Sequence, residues 1–529
     1  MFDILIKNGT LVDGSGASAY SADLAVANGK IAEIGENIQG EAKLVLDGQG
    51  MIVAPGFIDI HTHSDVCCFV EGRRPESKLY QGITLEITGN CGRSHVPILP
   101  EKSKELVPYL AKNWQLPFDK VVLTDNDLAG YAEHVRRVPA LTNLGVLIGH
   151  GTLRANVMGL GMEPAGEKEI KAMCDLLEQA MEQGAFGMSL GLIYPPSSYG
   201  NIAEFVALAK VIKKYDGILT VHMRNEGNKI FEAVDEMLTV AEQSGVHLQI
   251  SHLKLMGKPQ WGRAEELLGV IKAAQAKGIN VTCDQYPYLA TSTGLSAVIP
   301  KWAHAGGPEE MCKRLDAPTE QLLQETKAEI ERRGGAHCVL VIGPCGIPEF
   351  DGKRLDEIAA AMELTSERAA CRLLVIAGGG IGCCYFSLCE EDMLKIMEQD
   401  FIAIGSDGYA FTFDKKAQGN NPHPRSFGTF PRFFQTVREH KLMSLEKAVY
   451  KATGLSADIL GLKDRGRLQT GMAADITVFD YGTIEDCSEY TDSLQKPKGI
   501  KAVIIDGRLA LLEGEIANPA FGRVLLHSK

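Results

Sequence analysis

Short apolar stretches interrupted by glycine turns occupy both ends of the chain. Near the N-terminus, "ILIKNGTLVDG" and "LAVANGKIAEIG" each place Asn-Gly between apolar, β-prone flanks, which is the strongest short signal for a β-hairpin. The same pattern returns near the C-terminus in "ADITVFDYG" and in "AVIIDGRLALLEGE", where Asp506-Gly507 is the predicted turn. We therefore predict one small β-sheet domain that is assembled from residues 1–55 and 456–529.

The middle of the chain has a different pattern, in which an apolar strand, a polar tip and an amphipathic helix alternate. Two of the helices are predicted at 167–184, where Gly184 is the stop signal, and at 263–278. The candidate strands are "GFIDIHTH", "ITLEITGNCG", "LGVLIGHG", "AFGMSLGLIY", "ILTVHMRNEG", "LQISHLK", "INVTCDQYPY" and "FIAIGSDG".

Eight strands that alternate with helices predict an α/β protein with a (β/α)8 TIM barrel, here over residues 56–455. In such a barrel the active site lies at the C-terminal ends of the strands. About a hundred residues separate the seventh candidate strand from the eighth, which is far more than one crossover needs. We therefore predict an inserted subdomain at about 290–400.

Composition and charge exclude several classes of partner. The 529 residues carry a net charge of -13, so no basic surplus is available to neutralise the phosphates of a nucleic acid. The longest uncharged run, 373–389, is too short and too rich in glycine to span a membrane. "MFDILIKNGT" carries Asp3 and Lys7 where a secretory signal would be apolar, and thirteen cysteines without framework spacing suit a reducing compartment. We predict a cytoplasmic protein with no membrane partner.

Side chains that can bind a metal ion stand at the tips of the predicted barrel strands. His61 and His63 end strand one, and residues two apart on a strand point to the same face. The others are Cys91, His222, His252 and Asp407, at the ends of strands two, five, six and eight. Each could singly be an ordinary polar residue at a strand end, but four of the thirteen histidines at three strand tips favour a metal site. Imidazole, thiolate and carboxylate together suit zinc, which lowers the pKa of bound water to about 7.

These motifs resemble the amidohydrolase superfamily, and within it the D-aminoacylase (N-acyl-D-amino-acid deacylase) family. The resemblance runs nearly from end to end, and its most specific part is "GNCG" together with "HTHSD". Its other motifs are "GHGTLR", "GLIYPP", "HMRNEG", "SHLK", "DQYPYLATSTGL", "GSDG", "HPRSFGTF" and "DRGRLQTGMAADITVFD".

The resemblance implies two metal positions with different ligands. One zinc ion is expected to be held tightly by Cys91, His222 and His252. A second, weaker position is expected to use His61, His63 and Asp407. The resemblance also implies that the β segments at the two termini form one β-sandwich.

Cys91 is supported by a further argument, which concerns a missing residue. Many binuclear relatives bridge their metal ions with a carboxylated lysine on strand four, but "AFGMSLGLIY" contains no lysine. A thiolate on strand two can supply the missing negative ligand. The alternative is a buried structural cysteine.

Asp407 lies in "IAIGSDGYA", between small residues that leave room for a metal ion or a substrate. A carboxylate beside metal-bound water can take its proton and pass it to the leaving nitrogen. The alternative is a turn-forming aspartate before Gly408. Because the metal ligands converge at the same end of the barrel, we favour a catalytic Asp407.

A substrate with a free α-carboxylate needs cations and hydrogen-bond donors around it. Lys254 shares a strand face with the strand-six histidine, and Arg425 in "HPRSFG" offers a bidentate fork. Tyr286 and Ser292 in "YPYLATS" complete the set that the family uses for this carboxylate, although turn residues of a surface loop are an equal alternative. Tyr194 in "GLIYPP" is expected to pack against the substrate or to polarise its carbonyl.

The predicted function is zinc-dependent hydrolysis of the linear amide of an N-acyl-D-amino acid, which gives a carboxylate and a free D-amino acid. The alternative among enzymes is cyclic-amide hydrolysis, as in hydantoinases and dihydroorotases, and the missing strand-four lysine disfavours it. A metal-less scaffold protein is a third interpretation, which the six filled ligand positions disfavour. The side-chain preference (apolar, Glu or Asp), the acyl length and the oligomeric state stay open, and selectivity for D over L substrates is implied only by the resemblance.

Overall fold

The computed structural model describes residues 1–71, 73–104, 106, 107, 110, 125–517 and 520–528. Its strands are β1 (Phe2–Leu11), β2 (Tyr20–Ala27), β3 (Lys30–Gly35), β4 (Ala42–Asp47), β5 (Ile52–Pro55), β6 (Phe57–Asp59), β7 (Ile83–Thr88), β8 (Asn143–Gly149), β9 (Gly187–Gly191), β10 (Ile218–His222), β11 (His247–Ile250), β12 (Val281–Gln285), β13 (Thr291–Gly294), β14 (Val339–Gly343), β15 (Gly382–Tyr385), β16 (Ile402–Ile404), β17 (Ile476–Phe479), β18 (Ile500–Ile505), β19 (Arg508–Leu512) and β20 (Glu515–Ile516).

The helices of the same described residues alternate with the central strands and continue after them. They are α1 (Leu128–Arg137), α2 (His150–Met158), α3 (Glu167–Glu182), α4 (Ile202–Lys214), α5 (Ile230–Ser244), α6 (Ala264–Ala276), α7 (Pro308–Asp316), α8 (Glu320–Arg332), α9 (Leu355–Ala361), α10 (Ser366–Ile376), α11 (Glu390–Met397), α12 (Lys415–Gln418), α13 (Arg425–His440), α14 (Leu445–Ala452) and α15 (Gly454–Ile459).

The central sheet consists of eight parallel strands in the order β6-β7-β8-β9-β10-β11-β12-β16. Each of them overlaps one of the eight strands predicted from the sequence, although β8 and β11 begin one residue before the predicted segment. Backbone hydrogen bonds join the two ends of this sheet, from Asp407 N to His61 O (2.8 Å) and from His63 N to Gly408 O (2.9 Å). The predicted (β/α)8 barrel is confirmed, and the bonds that close it run through three of the predicted metal ligands.

Burial explains why these segments form a barrel. Every residue of β7 and β8 is buried, as expected for parallel strands that are covered by helices on one face and fill the barrel on the other. In α3 the buried side chains are Met173, Leu177, Ala180 and Met181, which lie on one face of the helix. Helix and strand side chains share one large apolar cluster. The core therefore fixes the strand ends, and the polar residues follow directly after them.

The two terminal segments form one sheet of nine strands. In it, β5 pairs with β1 and also with β17, so the N-terminal and C-terminal segments join there. The turn residues Asn28 and Gly29 both have positive φ, and so do Asp506 and Gly507, as type I′ hairpin turns require. The predicted β domain that is built from both termini is confirmed.

The hairpin that we predict at Asn8-Gly9 is wrong. β1 runs through this pair without a turn, and its register against β2 shifts between Ile6 and Gly9. Asn8 has a φ of 57°, so it makes a β-bulge. A Cβ atom on Gly9 would lie 2.6 Å from Val53 Cγ2, so close packing against β5 explains the glycine.

The segment between β12 and β16 carries a smaller antiparallel sheet in the order β13-β15-β14. Helices α7 to α10 pack around it and share a separate apolar cluster that includes Leu295, Val341, Leu355 and Leu374. The predicted insertion between strands seven and eight is therefore present. The domain limits that we predict, at residues 55, 290, 400 and 455, stay a prediction.

Among the described residues, no helix is both long enough and apolar enough to cross a membrane. The uncharged run 373–389 contains the end of α10, a glycine turn and β15. Its cysteines Cys383 and Cys384 are fully buried in the small sheet.

Candidate metal centre and active site

All six predicted metal ligands lie at the C-terminal end of the barrel, on or just after their strands. His222 is the last residue of β10, His252 comes two residues after β11, and Cys91 and Asp407 each come three residues after their strands. His61 follows the end of β6 by two residues. All but His63 are buried, and the His63 side chain is only 12% exposed.

The Cys91 thiol lies at the centre of the group. Its Sγ is 3.3 Å from His61 Nε2, 3.6 Å from His222 Nδ1 and 3.7 Å from His252 Nε2. Asp407 closes the other side, with Oδ1 2.9 Å from His63 Nε2 and 3.4 Å from His61 Nε2. The ligand atoms of His61, Cys91, His252 and Asp407 all lie within 4.8 Å of one another. The structure thus brings the six predicted ligands to one end of the barrel, and the donor atoms of these four could hold a metal ion. The donor atoms of His222, Glu226 and His252 form a second such group.

A tight turn presents Cys91 to the centre. Arg93 N donates to Asn90 O (3.1 Å) across Cys91 and Gly92, which have φ of 52° and 76°. Positive φ at both central residues is the type I′ pattern, which glycine adopts without strain and cysteine does not. A Cβ atom on Gly92 would lie 2.6 Å from Gly191 N, and one on Gly89 would lie 1.9 Å from Leu147 O. Both glycines of "GNCG" are therefore required for the backbone of this turn to fit against its neighbours.

His252 and Asp407 also have left-handed backbones, with φ of 39° and 49°. Non-glycine residues are uncommon at positive φ, and such strained positions cluster at functional sites. Three strained ligands on three different strands show that the barrel holds this geometry against local preference.

The centre favours the charged forms of its two anionic ligands. Burial raises the pKa of the Cys91 thiol, but His61, His222 and His252 together bring it well below the usual value. Burial also raises the pKa of Asp407, and the charges of Arg425 and His252 hold it well below its usual range. A thiolate and a carboxylate therefore face the histidine side chains.

Asp284 is a residue of the centre that we did not predict. Its Oδ1 lies 3.2 Å from His61 Nδ1 and accepts a hydrogen bond from His252 N (2.8 Å). An Nδ1–H that donates to Asp284 leaves His61 Nε2, the atom nearest to Cys91 and Asp407, free for a metal ion. Asp284 lies in "DQYPY" at the end of β12, so its signal is a buried aspartate at the tip of the seventh strand.

Glu226 is the second residue that we did not predict. Its Oε1 lies 3.0 Å from His252 Nδ1 and accepts a hydrogen bond from Lys254 Nζ (2.5 Å). Burial raises the pKa of Glu226, but Lys254, His222 and His252 hold it well below its usual value. This carboxylate orients His252 as Asp284 orients His61. Its signal in the sequence is the acid four residues after His222 in "HMRNEG".

Arg425, Tyr286 and Ser292 lie together beside Asp407. Arg425 Nη1 is 2.8 Å from Asp407 Oδ2, and Nη2 donates to Ser292 O (3.2 Å). The guanidinium also lies over the Tyr286 ring, 5.1 Å from its centroid. The Tyr286 hydroxyl is buried without a hydrogen-bond partner in the described part of the chain.

Lys254 and Tyr194 flank the centre. Besides Glu226, Lys254 Nζ donates to His252 O (2.9 Å), so its ammonium is already engaged by protein groups. Tyr194 packs edge-on against His222, with ring centroids 5.0 Å apart, and its hydroxyl lies 3.0 Å from Thr293 Oγ1. Lys254, Tyr194, Tyr286, Ser292 and Asp407 line one small cavity of about 30 Å³.

A larger cavity of about 790 Å³ opens above the same strand ends. His63, Cys91, Asp407 and Arg425 form part of its wall. Residues of the insertion, among them Ile381, line the opposite side. The insertion therefore covers the barrel mouth and leaves room for a small molecule at the centre, as most ligand sites do.

Comparisons with known proteins agree with this geometry. Residues 44–332 and 407–510 match the amidohydrolase family. The chain is 34% identical to the D-aminoacylase of Alcaligenes xylosoxydans xylosoxydans over 527 residues, which cover 99% of this chain and 97% of the relative. It is also 34% identical to the N-acyl-D-aspartate deacylase of the same organism, over 96% of this chain and 91% of the relative.

A solved structure adds a ligand-bound relative. The N-acyl-D-glutamate deacylase from Bordetella bronchiseptica, complexed with zinc and a phosphonate inhibitor that mimics the tetrahedral intermediate, is similar with a TM-score of 0.83. The two are 32% identical, and 99% of each chain is covered.

Fold and matched family define the class: this is an amidohydrolase, a hydrolase acting on carbon–nitrogen bonds. The length and sequence identity of the matches identify the family within this class. The chain belongs to the D-aminoacylase (N-acyl-D-amino-acid deacylase) family.

Proposed function

We propose that this chain is a zinc-dependent deacylase that hydrolyses the linear amide of N-acyl-D-amino acids. The observation that carries the proposal is the convergence of three imidazoles on the Cys91 thiol, with Asp407 and Arg425 beside them in the cavity. The cyclic-amide alternative would favour a lysine on β9 that bridges two metal ions, and β9 contains no lysine. The matched D-amino-acid deacylases support the substrate class.

The spacing of the donor atoms supports zinc. With Zn–S of about 2.3 Å and Zn–N of about 2.0–2.1 Å, a tetrahedral ion separates a sulfur from a nitrogen ligand by about 3.5 Å. The distances from Cys91 Sγ to His222 Nδ1 and to His252 Nε2 are 3.6 and 3.7 Å. Thiolate and imidazole are also the ligand types that zinc prefers. We propose these three residues for the tight position, and His61, His63 and Asp407 for a weaker second one.

Asp407 is the proposed proton carrier of the reaction. A zinc ion at this centre supplies Lewis-acid polarisation of the amide carbonyl and lowers the pKa of water to about 7. Asp407 takes a proton from the attacking water and delivers it to the amide nitrogen, so the C–N bond breaks after the C–O bond forms. The low pKa of Asp407 keeps it in the deprotonated form that starts this sequence.

The α-carboxylate of the substrate is proposed to bind at Arg425, Tyr286 and Ser292. Arg425 lies against Asp407, and Tyr286 has a buried hydroxyl with no partner among the described residues, which an acceptor from the substrate would satisfy. Lys254 is proposed to attract the substrate carboxylate by its charge without binding it directly, because its ammonium already donates to Glu226. Tyr194 is proposed to contact the acyl carbonyl.

A substrate panel tests the proposed function. We expect purified, zinc-loaded protein to release free amine from N-acetyl-D-amino acids much faster than from their L-enantiomers, and to leave a hydantoin intact. Faster hydrolysis of the hydantoin than of every N-acetyl-D-amino acid would overturn the assignment in favour of a cyclic-amide hydrolase.

Arg425→Met is expected to raise KM for N-acyl-D-amino acids about 10–100-fold, the usual effect of losing a charge-assisted hydrogen bond. The loss should shrink when the α-carboxylate of the substrate is replaced by a carboxamide. Steady-state kinetics on the acid and amide pair measure both effects.

Arg432→Met is the matched control, because Arg432 lies on the same helix but donates to Pro287 O and stacks on Tyr288 outside the cavity. An equal loss on the acid and amide substrates in Arg425→Met would show that Arg425 does not bind the carboxylate.

Asp284→Asn is expected to weaken zinc binding at the second position about 10–100-fold, because it orients His61, a ligand of that position, and partners that orient metal ligands have effects of this size. Competition with a chromogenic chelator measures the affinity. Asp392→Asn is the control, since Asp392 is also buried and accepts two backbone N–H groups, from Gly262 and Ala264, away from the centre. If both variants bind zinc equally well, Asp284 does not orient the ligands.

A further inference from the structure

Arg93 stands out among the arginines of the active-site cavity. The arginines that line this cavity are Arg93, Arg224, Arg332, Arg333 and Arg425. Four of them are ion-paired: Arg224 with Glu236 (2.9 Å), Arg333 with Glu329 (2.9 Å), Arg332 also with Glu329, and Arg425 with Asp407 (2.8 Å). Within the part of the chain that the structure describes, Arg93 forms no ion pair, and its buried Nε has no hydrogen-bond partner.

The position of Arg93 is fixed by the turn that carries Cys91. The turn Asn90–Arg93 places the guanidinium in the cavity two residues after the thiolate. The guanidinium carbon lies over the Tyr194 ring, 4.1 Å from its centroid. A guanidinium on a ring face keeps its planar N–H fork available at the edge, where a carboxylate can accept two hydrogen bonds. Arg93 is thus an oriented cation without an acidic partner among the described residues.

Arg93 and Arg425 contact different groups of the cavity wall. The Arg425 guanidinium lies 2.8 Å from Asp407 Oδ2 and over the Tyr286 ring. The Arg93 guanidinium lies over the Tyr194 ring instead. We therefore assign Arg93 a role separate from the α-carboxylate site proposed at Arg425.

We propose that Arg93 binds a second carboxylate of the substrate, so that the preferred substrate is a dianionic N-acyl-D-amino acid. The second carboxylate belongs either to the side chain of the D-amino acid or to the far end of the acyl group. This inference rests on the proposed deacylase function.

Two matched substrate pairs test the proposal and distinguish the two sources. The first pair is N-acetyl-D-glutamate and N-acetyl-D-glutamine, which differ in the charge of the side chain. The second pair is N-succinyl-D-leucine and its terminal amide, which differ in the charge of the acyl group. We expect kcat/KM to favour the acid over the amide at least tenfold in one pair, and that pair identifies the source.

The variant Arg93→Met should reduce this preference tenfold or more, because the stem can still pack on Tyr194 while the charge is lost. Arg93→Lys should keep most of the preference. Lys301→Met is the control: Lys301 also lines the cavity, and its ammonium donates to Leu192 O (3.3 Å) rather than to a carboxylate. If Lys301→Met removes as much of the preference as Arg93→Met, the preference reflects the overall charge of the cavity and the role of Arg93 is overturned.

The remaining outcomes separate this inference from the function on which it rests. If all four substrates are hydrolysed and neither pair shows a preference for the acid, Arg93 does not bind a second carboxylate and the deacylase function stands. If none of the four is hydrolysed, and neutral N-acetyl-D-amino acids are not hydrolysed either, the proposed function fails and takes the inference with it.

Discussion

Asp407→Asn is expected to lower kcat about 10²–10⁴-fold, the usual contribution of a general acid–base residue. Asparagine keeps the shape of the side chain but cannot take a proton from water or deliver one to the leaving nitrogen. It is also one of the residues that best tolerates the left-handed backbone of this position, where φ is 49°. The variant should therefore fold normally, and the loss should fall on kcat. Steady-state kinetics together with metal analysis measure the effect.

Metal content separates a chemical role of Asp407 from a ligand role. We assign Asp407 to the weaker metal position, so the tightly bound zinc should stay in Asp407→Asn. A variant that loses all of its metal would show that Asp407 holds the tight ion as well. Near-normal turnover with full metal content would remove Asp407 from the mechanism.

Much of the fold could be predicted because each barrel strand and its helix are local patterns. The apolar run of β8 and the buried face of α3 are both readable in a short stretch of sequence. The metal-binding side chains could be predicted for a related reason. The C-terminal ends of parallel strands meet at one end of a barrel, so His222 and His252 come together although they lie thirty residues apart in sequence.

The contacts between distant side chains could not be predicted in the same way. Asp284 contacts the ring of His61 across more than two hundred residues of sequence, and no local pattern around either residue indicates this pairing. Lys254 has the right charge for a substrate carboxylate, but its pairing with Glu226 depends on how two loops fold over β10 and β11. The bulge at Asn8 also depends on a contact between residues far apart in sequence. Asn-Gly permits a hairpin turn, but Gly9 packs closely on Val53 of β5, and β1 continues through the pair with a bulge.

Cys91→Ala is expected to leave the purified protein nearly metal-free and inactive. The tight position would retain only His222 and His252, and two neutral imidazoles bind zinc much more weakly than two imidazoles and an anion. Cys91→Asp should recover part of the metal, because a carboxylate is also an anionic zinc ligand, although a harder one. Aspartate also tolerates the positive φ of this turn better than most residues. Elemental analysis of the purified variants measures the zinc content.

Cys283→Ala is the matched control for Cys91, because both thiols are buried in the same barrel. Burial raises the pKa of the Cys283 thiol well above the usual value, and no imidazole is among the groups that shift it. For Cys91, by contrast, three histidines bring the pKa of the thiol down. Cys283 is therefore a neutral packing residue of β12, and its alanine variant should keep its zinc at a modest loss of stability. A structural role for Cys91 gives the opposite result: Cys91→Ala would keep its zinc as Cys283→Ala does, and Cys91→Asp would fail to fold. Full zinc in Cys91→Ala would rule out the thiolate as a metal ligand.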